Sequence, residues 1–171
     1  MVYNLADFTA DEPIFIDANI FLFHAFDDKE HGDAATAFLT RVENAEVEAV
    51  TSSLVIDEVL FKILTQAAAA HLEKPTIWNI KKLLKQETIS QVVYEPVLKY
   101  RAYLESLAFL GMKIVEVTGE HLFAATDIGS RYGLLITDAA HIAVMKWQRI
   151  NHLATADADF FDIDGITAWR P

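Results

Sequence analysis

Five short β-rich runs punctuate the chain, at Pro13–Ile16, Val47–Thr51, Lys113–Val117, His152–Thr155 and Gly165–Trp169, each separated from the next by a longer stretch with helical spacing. Strands so far apart cannot close as tight hairpins. They need crossover connections, which lay strands parallel and place helices over the sheet. The expected fold class is therefore α/β with a largely parallel sheet. Three of the intervening helices are legible from their caps: Leu54–Ala70 started by Ser52 or Ser53, a shorter one at Ile77–Gln86, and Pro96–Leu110, opened by Pro96 and stopped by Gly111. In the last of these Val97, Tyr100, Leu104, Leu107 and Ala108 fall on one face, the pattern of a stripe buried against a core. No repeat, low-complexity stretch or Pro/Gly-rich linker interrupts the 171 residues, and with 53% hydrophobic residues the expectation is one domain spanning 1–171.

An open parallel sheet forms its functional crevice beyond the carboxyl ends of the strands. Asp17 stands at that point after the first run, inside "IFIDANIFLF", where an ionised carboxylate among Ile and Phe side chains is costly unless a cap, a cation or a metal compensates it. Glu58 lies in the first turns of the helix after the second run. Asp157 and Asp159 follow the fourth, in "TADADF", and Asp138 opens a helix in "LLITDAAHIAVM", behind the short apolar run Leu134–Ile136. Each has an ordinary explanation. Asp17, Asp138 and Asp159 fit helix N-caps, and Glu58 fits an ion pair with Lys62 one turn on. Asn19 fits a turn or cap, and Thr155 a strand position. What the single readings do not explain is the conjunction: four sequence-distant segments deliver carboxylates to one edge of a sheet.

Clustered carboxylates suit a hard divalent cation such as Mg²⁺ or Mn²⁺, which prefers oxygen ligands. The absence of cysteine excludes thiolate metal sites, disulfides and thiol nucleophiles. None of the six histidines pairs with another at helical ligand spacing, and His141 reads as a core or surface residue of its helix. No GxGxxG, GxxxxGK[ST] or GxSxG occurs, so nucleotide cradles and serine-based hydrolysis are unsupported. The net charge of −11 argues against a protein that grips nucleic acid with its whole surface. One local exception exists: Lys74, Lys81, Lys82, Lys85, Lys99 and Arg101 are six of the fourteen basic residues, fitting either a solvated helix face or a basic patch. The longest apolar runs fall well short of a membrane span, and the opening MVYNLADFTADEP is acidic where a signal peptide is basic, so a soluble, uncleaved, cytoplasmic protein is expected.

With these pieces in order, the sequence resembles the PIN domain family, and within it the VapC-like toxin ribonucleases. The resemblance rests on "IFIDANIFL", "SSLVIDEVL", "LLITDAAHIAV" and "LATADADFFDI", which span nearly the whole chain. It implies a three-layer α/β/α domain with a central parallel sheet of about five strands. Asp17, Glu58, Asp138 and Asp157 match the family's acidic positions and are the implied catalytic and metal-holding residues. Asn19 matches a polar support of the first Asp, and Thr155 a hydroxyl supporting the fourth acid. Asp159 is the second acid of the T-x-D-x-D-F pattern and is implied to cap a helix or act through water. The resemblance further implies Mg²⁺ or Mn²⁺ as cofactor, an RNA substrate, a small antitoxin partner and a homodimer. The implied reaction is phosphodiester hydrolysis giving 5′-phosphate and 3′-hydroxyl ends. Three other readings stand beside the toxin. A haloacid-dehalogenase-type phosphatase wants a second Asp where this chain has Asn19. A PIN nuclease of RNA maturation or decay shares the same acids, and a catalytically silent PIN-like binding module would not need them.

Overall fold

The computed structural model describes residues 1–9 and 11–171. Among these, six strands form one sheet in which every neighbouring pair is parallel: β1 (Val2–Asn4), β2 (Ile14–Ile16), β3 (Ala49–Ser52), β4 (Lys113–Val115), β5 (His152–Ala154) and β6 (Thr167–Arg170). Their spatial order is β1-β6-β5-β2-β3-β4. Seven helices flank the sheet: α1 (Ala18–Ala25), α2 (Gly32–Glu43), α3 (Ser53–Ala69), α4 (Ile77–Leu83), α5 (Glu87–Phe109), α6 (Gly119–Tyr132) and α7 (Ile136–Gln148).

Burial explains why the central strands read as continuous apolar runs rather than alternating ones. Ile14, Phe15 and Ile16 are fully buried in β2, between β5 and β3, because helices cover both faces of the sheet. α7 is packed still more deeply, with Ala139 through Met145 all buried. The small Gly129 of α6 permits this packing, since a Cβ there would come within 3.1 Å of the Leu134 carbonyl oxygen just before α7.

The topology selects one crevice. From β2 the chain winds outward to β3 and β4, then returns to lay β5 on the other side of β2 and continues to β6. The winding direction therefore reverses between β2 and β5. Their carboxyl ends flank the switch point at which open α/β sheets bind ligands.

Four expectations need correction. The sheet has a sixth strand, β1, pairing with β6 from Val2↔Ala168 to Asn4↔Arg170; three exposed residues carry no periodic signal. The link between β5 and β6 is not a helix but a 3₁₀ turn at Ala158–Phe160, too short a span for helix and return loops. Pro96 does not open its helix. α5 begins at Glu87 and carries Pro96 internally, where the missing N–H strands only the carbonyl of Val92, a residue 51% exposed to water. Finally, Asp138 does not open its helix: Leu135 is the residue preceding α7, and Ile136 is its first. The expected stripe on α5 is present, with Val97, Tyr100, Leu104 and Leu107 buried.

Candidate active site

Asp17 leaves β2 in an extended conformation and caps α1, its Oδ1 accepting the Ala18 N–H at 2.7 Å. Its own N–H continues the ladder to β5 by donating to the Ala154 carbonyl at 3.1 Å, so strand pairing fixes where the carboxylate emerges. Oδ2 accepts two further hydrogen bonds, from Asn19 Nδ2 at 2.6 Å and Thr155 Oγ1 at 2.7 Å. Asn19 Nδ2 also donates to Thr155 Oγ1 at 3.0 Å, while Asn19 Oδ1 accepts the Ala156 N–H at 3.2 Å. Thr155 Oγ1 in turn accepts the Asp157 N–H at 3.0 Å. One hydroxyl thus joins the carboxylate at the end of β2 to the backbone that carries Asp157 past β5. Thr51 adds a clamp beneath, its Oγ1 donating to the Ile16 carbonyl at 3.0 Å.

The remaining acids arrive from helices. Ser52 caps α3 by accepting the Val55 N–H at 3.3 Å, which sets Glu58 in the second turn, half-buried. Asp138 is the third residue of α7, not its cap; the capping position belongs to Leu135 and makes no side-chain bond. Asp157 caps the 3₁₀ turn by accepting the Asp159 N–H at 2.9 Å, so the cap expected at Asp159 lies two residues earlier, and Asp159 is exposed. Glu58 meets His141 of α7 at 3.9 Å rather than forming the expected pair with Lys62.

Electrostatics tie these groups together. Burial pushes the Asp17 carboxyl above its usual range; His141 and the Thr155 and Ala18 hydrogen bonds oppose this, and Glu58 adds to it. Burial likewise raises Asp138, His141 counteracts it, and the charges of Asp157, Glu58 and Asp159 raise it further. Glu58 moves the other way, held below the usual carboxylate range chiefly by His141. Among the described residues no Lys or Arg pairs with Asp17, Glu58, Asp138 or Asp157. Nor are three such groups already drawn into a closed ligand cage. The donor set is oxygen-rich, anionic and short of cations, which fits a hard divalent ion.

His141 is the residue the sequence reading passed over. The signal was its place three residues after Asp138, on the same face of α7. A second hollow, a cavity of ≈ 560 Å³ lined by His24, Phe26, Gln66, Lys99, Tyr100 and Tyr103 among others, lies at the opposite end of α1 from Asp17.

A parallel sheet with carboxylates gathered at its switch point defines an acid-centred α/β domain. The chain belongs to the PIN domain family, whose model matches residues 14–166. Ribonuclease VapC6 of Methanocaldococcus jannaschii is 30% identical over 154 residues, covering 90% of this chain and 94% of that protein. Among solved structures, VapC20 of Mycobacterium tuberculosis, described as a toxin that cleaves the sarcin-ricin loop, superposes with a TM-score of 0.56 at 16% identity, over 86% of this chain and 92% of its own. A toxin–antitoxin complex from Klebsiella pneumoniae superposes with a TM-score of 0.54 at 18% identity, over 90% of this chain and 94% of its own. No helix among the described residues is long and apolar enough to cross a membrane.

Proposed function

We propose that the protein is a metal-dependent endoribonuclease acting as the toxin of a type II toxin–antitoxin pair in the cytoplasm. The observation that carries this is Asp17, buried at the switch point, held by hydrogen bonds from Asn19, Thr155 and Ala18, and paired with no Lys or Arg among the described residues. A carboxylate so rigidly held and so poorly neutralised is suited to hold a cation that arrives from solution. Asp17, Glu58, Asp138 and Asp157 would hold Mg²⁺ or Mn²⁺. When bound, such an ion supplies Lewis acidity, lowering the pKa of water and offsetting charge that develops on phosphate.

The chain's own residues provide the order. Asn19 and Thr155 occupy Oδ2 of Asp17 and so fix which way the carboxylate faces. Thr155 also fixes the backbone at Asp157, keeping the β2 and β5 acids in step. Asp157 caps the 3₁₀ turn, and its charge acts on Asp138 more strongly than that of the exposed Asp159, which supports Asp157 as the fourth acid. The relatives' name of ribonuclease and their high mutual coverage support the reaction class, and the toxin–antitoxin complex among the structural neighbours supports a small antitoxin as partner. A homodimer follows the same family expectation.

Cleavage of single-stranded RNA should vanish in EDTA and return on addition of Mg²⁺ or Mn²⁺. Cleavage that persists unchanged in Asp17→Asn and Asp138→Asn variants would refute the nuclease reading. The PIN nuclease of RNA maturation or decay is separated from the toxin by growth: induced expression should arrest cells, and co-expression of the small protein encoded beside it should relieve the arrest.

A further inference from the structure

We infer that His141 is a positioning residue of this site, donating a hydrogen bond from Nε2–H to the Glu58 carboxylate and so turning Glu58 toward the other acids when a divalent cation is bound. The inference rests on the metal-dependent reading above and names a residue outside the carboxylate set.

Three observations carry it. First, His141 is 2% exposed, and neither ring nitrogen has a hydrogen-bond partner among the described residues. Buried polar atoms are nearly always satisfied, and an unpaired one calls for an explanation. Second, the partner in reach is a carboxylate: Nε2 stands 3.9 Å from Glu58 Oε2, about 1 Å beyond a charge-assisted hydrogen bond. The two groups sit on different helices, α7 and α3, and Glu58 retains the freedom to close the gap because its side chain is 34% exposed while the ring is confined. Third, the ring packs against Phe15 at 5.9 Å between centroids, two residues before Asp17 on β2 and on the same side of that strand. The imidazole therefore lies buried beside Asp17, Glu58 and Asp138, and no hydrogen bond among the described residues engages its ring.

A histidine that merely filled space would be replaceable by an apolar side chain of similar size. A histidine that orients Glu58 would not, since loss of a partner that orients a metal ligand typically weakens metal affinity about 10–100-fold. Calorimetric titration with Mn²⁺ should give His141→Leu an affinity roughly 10–100-fold below wild type at similar Tm, and His141→Gln, whose amide can donate from near the Nε2 position, an affinity within about threefold of wild type. A second measurement begins with the unaltered protein, so that its first result does not depend on how a variant folds. In ¹H–¹⁵N imidazole spectra, saturating Mg²⁺ should move the His141 Nε2–H proton downfield in wild type and leave it unmoved in Glu58→Ala.

An unmoved resonance in wild type, or the same shift in Glu58→Ala, would overturn the assignment, as would His141→Leu binding Mn²⁺ as tightly as wild type. Wild-type protein that bound no Mn²⁺ at all would overturn the metal-dependent nuclease reading with it. Wild type that bound Mn²⁺ normally with His141 unmoved would remove only the role of His141.

Discussion

Helix α1 carries an ionisable group at each end, and the fold treats the two in opposite ways. At its start Asp17 accepts hydrogen bonds from Ala18, Asn19 and Thr155, and its carboxyl is still pushed above the usual range by burial. In its last turn His24 places Nδ1 3.1 Å from the Tyr100 hydroxyl, which donates to the Phe21 carbonyl at 2.7 Å and so accepts from the ring. Burial lowers the proton affinity of His24, and the neutral ring rests against Tyr103 at 4.7 Å between centroids. The contrast separates two kinds of satisfaction. Hydrogen bonds complete a neutral imidazole, but they do not discharge a buried anion. The end of α1 that remains electrostatically incomplete is the end at the switch point of the sheet.

The comparison breaks most visibly in activity. Asp17→Asn is expected to lower the initial rate of RNA cleavage about a thousandfold or more, the loss of several kcal/mol of transition-state stabilisation. His24→Asn should leave that rate within about threefold, because its contacts end at Tyr100 and Tyr103. Next in size, Thr155→Val keeps the shape of the side chain but removes both the donor to Asp17 and the acceptor for Asp157 N–H. Mn²⁺ affinity by calorimetry should fall roughly 10–100-fold.

At the other end of α1, Tyr100→Phe deletes the hydroxyl shared by His24 and the Phe21 carbonyl. It should cost about 1–2 kcal/mol in urea unfolding, and roughly 2–4 °C of Tm for each kcal/mol. RNA cleavage at permissive temperature should be unaffected.

The smallest effect sharpens the contrast through pH, in protein stripped of divalent ions. The folded-state pKa values of Asp17 and Asp138 are raised, so the unfolded chain, titrating near 3.8, releases these protons first. Their contribution to stability is greatest at low pH and declines as pH rises from about 4 through the raised values. The pKa of His24 is lowered from 6.5, so its contribution is present above pH 6.5 and lost as pH falls through the lower folded value. Melting curves should therefore show Asp138→Asn removing part of the loss that sets in as pH rises above about 4, and His24→Asn flattening the loss that sets in as pH falls below 6.5. Each change should shift Tm by about 1–2 °C.

Much of this arrangement was legible because apolar runs with a single polar interruption are rare and carry a physical cost. IFIDANIFLF announces a buried strand and an acid that leaves it, and β2, Asp17 and the Asn19 bond to that carboxylate stand there. The helix start at Ser52 or Ser53, which falls on Ser52, and the stop at Gly111 were equally readable, because they depend on one residue and its neighbours. Features set by distant partners were not. β1 exists because β6 offers it a parallel edge, and nothing within Val2–Asn4 says so. The first half of α5 lacks a capping side chain at Gln86, so Pro96 drew the boundary to itself. His141 could be placed on α7 from sequence, but its approach to Glu58 depends on how α3 and α7 pack.

That internal proline has a further consequence. Val93, just before it, packs with Ala68, Ile80 and Leu83 in a small core of its own, whereas Val97, Tyr100, Leu104 and Leu107, just after it, belong to the main core of the sheet. Pro96 sits at the seam, where α5 is missing one of the hydrogen bonds that would carry cooperativity from one half to the other. Amide hydrogen exchange should divide the molecule there. The outer unit, α4 with the start of α5 and the end of α3, should open and exchange its protons while the sheet and the acid-bearing helix ends stay closed.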